Sequence, residues 1–393
     1  MGKWEMVRLY EICDLLNGYA FKSSDYIEHS NTLNCRMSNI RPNGTFNILY
    51  NAKYLPDEYI KKYENFRLTD GDVIIAMTDM ANEPKILGVP TIVKTEGYKC
   101  LLNQRVGKLI YNERKISADY LCLVLDRDSV KKYYQKFSSG GLQINLGKSD
   151  LLSLEIPLPS LEIQQKIAVT LNTTTALFKL HQQQLAELDA LIQSVFYQMF
   201  GDPVSNEKGW EIKNFRNTAI IDTTMIKEFD SYSKVPHIGI ENIEKETGKI
   251  INLRLVEDCG LTSGKYLFSN KHVIYSKIRP NLNKVALPTF TGLCSADAYP
   301  ILPIEGKTDR YYLAYVLRSD YFLKYILDFS GRTNIPKVNK SQIEGFNMPV
   351  PPIELQTQFA AIVQKIEQQK ALIQQSIDET KTLFDSLMSR YFD

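Results

Sequence analysis

The sequence predicts an α+β chain. It has two mixed α/β blocks, each followed by a long helix, and the two helices pair as an intramolecular antiparallel coiled coil with pseudo-two-fold symmetry. Three observations predict this. The segment that closes each block repeats at a constant offset of 192 residues, and the blocks share short motifs at a drifting offset. After each block, apolar residues recur at alternating steps of four and three with no Pro or Gly between them. The boundaries fall at 1–155, 156–200, 201–348 and 349–393.

The first block opens with Trp4-Glu5-Met6, carries an Asn-Ile and a glycine turn in SNIRPNG (38–44), and has a strand-like run, GDVIIAMTDM (71–80). Its closing stretch, SDLLSLEIPLPSLEIQQKIA (149–168), realigns on SQIEGFNMPVPPIELQTQFA (341–360), and the register runs on unbroken to Phe200/Phe392. Pro157 and Pro159 impose an extended lead-in and Ser160 can cap the first helix. Along that helix residues 167, 171, 174, 178, 181, 185, 188, 192, 195 and 199 read Ile, Leu, Thr, Phe, His, Leu, Leu, Ile, Val, Met. This is a coiled-coil seam with two polar interruptions. The helix stops at Gly201-Asp202-Pro203.

The second block repeats the plan more loosely, with Trp210-Glu211-Ile212, ENIEKETG (241–248) and HVIYSKIRPN (272–281). The offset to the first block falls from 206 through 203 to 200 before settling at 192, as expected of one scaffold with different loops. The second helix follows Pro349-Val350-Pro351, and its seam reads Phe, Val, Ile, Lys, Ile, Ile, Thr, Phe, Leu, Tyr. About 38 residues at ~1.5 Å rise make each helix on the order of 57 Å long. With both seam halves in one chain, the helices are expected to pair with each other and to space the blocks at opposite ends.

Composition excludes several classes. Hydrophobic content of 44% and charged content of 23% describe a globular chain. No stretch reaches the ~18 apolar residues of a membrane span, and MGKWEMVRLYE lacks a signal-peptide core, so a cytoplasmic protein is expected. The six cysteines (13, 35, 100, 122, 259, 294) and four histidines (29, 181, 237, 272) are dispersed, which predicts reduced thiols and no metal site. Basic residues outnumber acidic ones by 21 to 19 in 1–155 and by 20 to 17 in 201–348. The helical segments reverse this, at 2 to 3 and 4 to 6. Mild positive charge on the blocks is compatible with nucleic-acid contact through local patches.

Catalytic signatures are missing. Gly306-Lys307-Thr308 has Ile301 where a phosphate-binding loop needs Gly, and no GxGxxG follows a strand. Asp70 and Asp72 flank Gly71 without the Glu-x-Lys strand of a magnesium nuclease, and His272 replaces Asp72 in the second block. They read as a solvated turn entering a buried strand.

GGLQINLGKSDLLSLEIPLPSLEIQQKIA (140–168), the junction MFGDP (199–203) with KGW (208–210), GDVIIAMT (71–78) and HVIYSKIRP (272–280) carry a family likeness. Over essentially its whole length the chain resembles the specificity (S) subunit of type I restriction–modification systems. The resemblance implies that the blocks are two target recognition domains, each reading one half of a split double-stranded DNA target. The helices are then conserved spacers that set the gap. It also implies no catalysis and no cofactor of its own. Two modification (methyltransferase) subunits would bring S-adenosylmethionine, and restriction subunits would bring ATP and magnesium. The distal loops depart from one another, Ser-Gly-Gly-Leu-Gln-Ile-Asn-Leu against Ser-Gly-Arg-Thr-Asn-Ile-Pro-Lys.

Bases are read by hydrogen-bonding side chains, while Lys and Arg on phosphates give affinity and register. Candidates therefore lie on polar loops after strands. In the first block these are Arg36, Ser38, Asn39, Arg41, Asn43, Thr78, Lys85, Asn103, Gln104 and Arg105. In the second they are Asn242, Lys245, Lys277, Arg279, Asn281, Asn283, Lys284, Arg332, Asn334 and Lys337. SKIRPNLNK (276–284) clusters five of them on a Pro-broken loop, and Asn39 and Asn242 also read as turn-formers. The alternative is a coiled-coil adaptor whose ends bind protein, but twin ends for twin partners should have similar loops.

Overall fold

The structure is a computed structural model that describes residues 4–137, 142–329 and 336–392. It separates into two compact units, and neither is one continuous stretch. The first joins Met1–Leu180 to Asp378–Asp393, and the second is His181–Ile377. Each unit is thus one globular block plus the start of one long helix and the end of the other.

The helices run Leu161–Phe200 and Ile353–Phe392, each 40 residues, or about 60 Å at ~1.5 Å per residue. All ten seam positions on each are buried or partly covered. In the first unit Ile167 and Leu171 share a core with Phe384, Leu387, Met388, Tyr391 and Phe392. In the second, Ile192, Phe196 and Phe200 share one with Phe359, Val363 and Ile366. Low numbers on one helix meet high numbers on the other, so the paired segments within each unit are antiparallel. Of the polar interruptions, Thr174 and Lys370 have partners, while His181 Nδ1 is buried without one. Thr174 Oγ1 donates to the Thr170 carbonyl at 2.9 Å. Lys370 Nζ lies 2.6 Å from Asp189 Oδ1 and 2.9 Å from Glu367 Oε1. Burial disfavours its charge, but these two carboxylates outweigh that and hold its pKa above the ordinary lysine value.

The blocks share one sheet plan. In the first, Cys13–Asn17, Val106–Tyr111, Val73–Ala76 and Pro90–Ile92 form an antiparallel sheet in that spatial order. In the second, Ala219–Ile221, Ala298–Pro303, Val273–Ser276 and Val285–Ala286 do the same. A second sheet in each block is built around one parallel pair, Thr32–Cys35 beside Lys99–Leu102 and Pro236–Ile238 beside Gly292–Cys294. The second block alone adds the short strand Met225–Ile226 to this sheet. Val73–Ala76 and Val273–Ser276 are buried on both faces, which is why they read as continuous apolar runs.

Each block closes on the root of its helix. Met6–Arg8 pairs with Glu155–Pro157, and Glu211–Asn214 with Asn347–Val350. Tyr120 and Tyr312 are fully buried and donate their hydroxyls to the carbonyls of Pro157 (2.9 Å) and Pro349 (2.7 Å). Gln164 and Gln356 act as clamps. Each side-chain carbonyl accepts the N–H of a helix-capping residue, Ser117 or Asp309, and each amide donates to Pro159 or Pro351. The tyrosines, glutamines, capping residues and prolines differ by 192, as do the Val106–Tyr111 and Ala298–Pro303 strands, so this offset reaches back beyond 148/340, while the opening strands keep an offset of 206. The opening tryptophans serve the helix ends: Trp4 Nε1 donates to the Tyr391 carbonyl (2.9 Å) and Trp210 Nε1 to that of Phe200 (2.8 Å).

Candidate nucleic-acid interface

In each block the carboxyl ends of the parallel pair gather four loops. In the first, the Asn103 N–H donates to the Cys35 carbonyl (3.0 Å) and that of Met77 to Arg105 (3.0 Å). The Leu146 N–H donates to Met77 (2.8 Å). Thr78–Met80 then pairs with Gln143–Asn145. In the second, Ser295 donates to Ile238 (2.9 Å), Lys277 to Asp297 (3.0 Å), Arg279 to Pro336 (2.7 Å) and Val338 to Lys277 (2.9 Å). Ile278 and Lys337 form the matching bridge. Segments far apart in the chain thus present one surface, and most of the candidate residues stand on it.

The candidates divide by what their side chains do. Asn39 is 1% exposed, accepts the Arg36 N–H and gives its amide to the carbonyls of Asn47, Ile48 and Tyr50. Asn242 does the same with Gly239, Ile251 and Asn252. Both are turn-formers, as the alternative reading of these two residues anticipated. Thr78 and Asn103 are also drawn inward, Thr78 bonding Asn145 and Asn103 accepting the Arg105 N–H. Asn39, Thr78 and Asn103 are thus largely buried, with these polar groups engaged inside the block. Asn283 spends its amide on the Arg318 carbonyl (2.7 Å), and Lys284 its ammonium on that of Ile240 (2.8 Å).

What stays presented in the first block is Arg36, Arg41, Asn43, Lys85, Gln104 and Arg105, whereas the Ser38 hydroxyl is buried without a partner. Arg41 lies over the Tyr50 ring at 3.8 Å, and Asn43 is engaged with Thr45. Lys85 projects from a loop whose N–H groups, at Lys85, Ile86 and Leu87, all donate to buried Asp79. In the second block Lys245, Arg279, Asn281 and Lys337 are exposed. Arg279 and Asn283, at φ 49° and 46°, bracket the Pro280–Leu282 turn in left-handed conformations. Such strain in two non-glycine residues is held only where the surroundings fix it. Lys277 is 8% exposed, with its ammonium 5.0 Å from the Tyr299 ring centroid. Arg332 and Asn334 lie outside the described residues.

Sequence reasoning missed Asn145 and Asp297. The constant offset would have found them, since Asn145 aligns with Lys337 and Asp297 with Arg105. Asp70 and Asp72 are turn residues here: Asp70 accepts the Thr95 N–H and Asp72 pairs with Lys108 at 2.8 Å. Among the described residues no cluster of His, Cys, Asp or Glu could hold a metal, and no helix is long and apolar enough to cross a membrane. Burial pushes the Cys13 and Cys100 thiols up to about 12, far from the reactive thiolate range.

The family model for the type I restriction modification DNA specificity domain matches residues 1–190 and 207–382. The chain belongs to this specificity-domain family. Among curated relatives, the specificity subunit of the type I restriction enzyme EcoDI from Escherichia coli is 26% identical over 312 residues, 71% of this chain and 63% of that protein. The MjaVIII specificity subunit from Methanocaldococcus jannaschii is 30% identical over 190 residues, 47% of this chain and 43% of that protein. The chain therefore aligns with less than two thirds of either. Among solved structures, the type I restriction-modification S subunit from M. genitalium superposes with TM-score 0.62 at 12% identity, covering 100% of this chain and 96% of that one. A chain from a structure of type I R-M complex assembly and conformational transition gives 0.54 at 16% identity, covering 99% and 97%. These likenesses establish the specificity-subunit fold over the whole chain.

Proposed function

We propose that this chain is the DNA sequence-specificity subunit of a type I restriction–modification complex. Each block reads one half of a bipartite double-stranded target. The long helices space the halves and dock two modification subunits, to which restriction subunits attach. The observation that carries this reading is the paired loop cluster, in which the same backbone frame recurs in both blocks while its presented side chains differ. Equal frames suit a two-part reader, and unequal side chains suit two different half-sites. The chain supplies no catalytic group. S-adenosylmethionine, ATP and magnesium belong to its partners, and the complex works in the cytoplasm.

The test is co-expression with a type I modification (methyltransferase) subunit from the same host, followed by methylome sequencing with and without this chain. Adenine methylation at a split motif is expected only when the chain is present, and equal methylation without it refutes the proposal. Arg279 supplies the residue-level check. Arg279→Ala is expected to weaken binding of the assembled methyltransferase at the second half-site by roughly 1–3 kcal/mol, as for loss of a base-reading arginine. Titrations at fixed salt on duplexes altered in one half-site measure it.

A further inference from the structure

We infer that Lys277 and Asp297 together read one G·C base pair of the second half-site, Lys277 donating to guanine O6 or N7 and Asp297 accepting from cytosine N4. The inference rests on the proposed DNA-reading function and names what one position of it recognises.

The first block provides an internal control. Lys277 is fixed by its N–H on the Asp297 carbonyl (3.0 Å) and its carbonyl under the Val338 N–H (2.9 Å). Met77 is fixed in the same way by Arg105 (3.0 Å) and Leu146 (2.8 Å). The frame is one and the side chains are exchanged: Met77, Arg105, Asn145 and Gly107 in the first block stand where Lys277, Asp297, Lys337 and Tyr299 stand in the second. Met77 is 5% exposed and lines the core beside Gly107, so an apolar side chain fits this place without penalty. A lysine there loses hydration and needs compensation.

That compensation is incomplete within the described residues: the Asp297 carboxylate favours the charge, but no oxygen accepts from the ammonium. Other covered lysines of the block end on oxygens, such as Lys265 on the Ser263 carbonyl (2.7 Å) and Lys284 on the Ile240 carbonyl (2.8 Å). Besides that carboxylate Lys277 has the Tyr299 ring, and its ammonium retains three N–H donors in the loop cluster. Burial, then the neighbouring Lys337, push its pKa down, so the free protein holds this charge unwillingly and an arriving acceptor would relieve it. Asp297 stands beside it, half-exposed, with Lys337 at 3.6 Å. A phosphate placed against this pair would meet the Asp297 carboxylate. A G·C edge in the major groove instead presents two acceptors beside an amino donor, matching a cation next to an anion.

The experiment uses the assembled methyltransferase and duplexes in which each pair of the mapped second half-site is changed in turn. Lys277→Met, which installs the first block's own residue, and Asp297→Asn are compared with the unaltered complex. The expected result is loss of roughly tenfold discrimination at a single G·C pair in both variants, with first-half preference retained. Uniform weakening on all duplexes, unchanged discrimination, or a second half-site lacking any G·C pair overturns the inference and leaves the proposed function standing. Absence of any half-site preference in the unaltered complex overturns both.

Discussion

Gln164 and Gln356 show how much of this chain is set by single buried polar groups. Gln356 is fully buried, and its carbonyl and amide satisfy the Asp309 N–H and the Pro351 carbonyl. Removing it orphans both. Gln356→Ala is expected to cost about 1–3 kcal/mol in urea unfolding of the second unit, because unpaired buried groups keep their desolvation penalty. His237 and His272 offer a second check, through pH. Burial lowers both pKa values, so the folded state prefers neutral rings. The unfolded chain binds protons first, and the stability they contribute is complete above the ordinary histidine pKa and lost as pH falls below it. Thermal melts should show the second unit weakening as pH falls below about 6.5, with less loss in a His237→Asn, His272→Asn variant. At this scale little of the interface was legible. Asn39 reads as a turn-former because its partners lie within 11 residues, but the setting of Lys277 depends on Asp297, Tyr299 and Val338, which only the fold brings beside it.

Among the elements, the helices were the most legible, because a period of four and three survives any tertiary context that buries one stripe. The sheet plan was partly legible. Tyr120-Leu121 and Tyr312-Leu313 already stood 192 apart, as did Leu125 and Leu317, yet their register was overlooked beside the stronger Pro-x-Pro signal. The glycine turns were visible, but not their unequal crowding. Gly248 has φ +67°, and a Cβ there would fall 1.8 Å from the Val285 carbonyl oxygen, which Arg318 also holds. Gly44, the counterpart turn at φ +72°, would meet nothing closer than 3.8 Å. Gly248→Ala is therefore expected to destabilise by about 2–4 kcal/mol and Gly44→Ala by only about 1, in parallel denaturant titrations.

At the level of the whole molecule, the two units trade helix ends, so the last residues of the chain belong to the first unit. Phe384, Leu387, Met388, Tyr391 and Phe392 pack against that unit's core, and Trp4 donates to the Tyr391 carbonyl. A chain ending at Ile377 is expected to lose hydrogen-exchange protection around Leu9, Tyr120 and Leu171 while Phe215 and Phe322 stay protected. Equal loss in both sets would contradict this division.

The exchange also has a temporal side. Residues 181–377 are synthesised between the two parts of the first unit, an interval of roughly 10–40 s at common ribosome speeds. Through that time the nascent block carries an uncovered apolar groove, open to chaperones or to the same segment of a neighbouring chain on the polysome. The order of translation thus gives the second unit the chance to finish first, although it is made later.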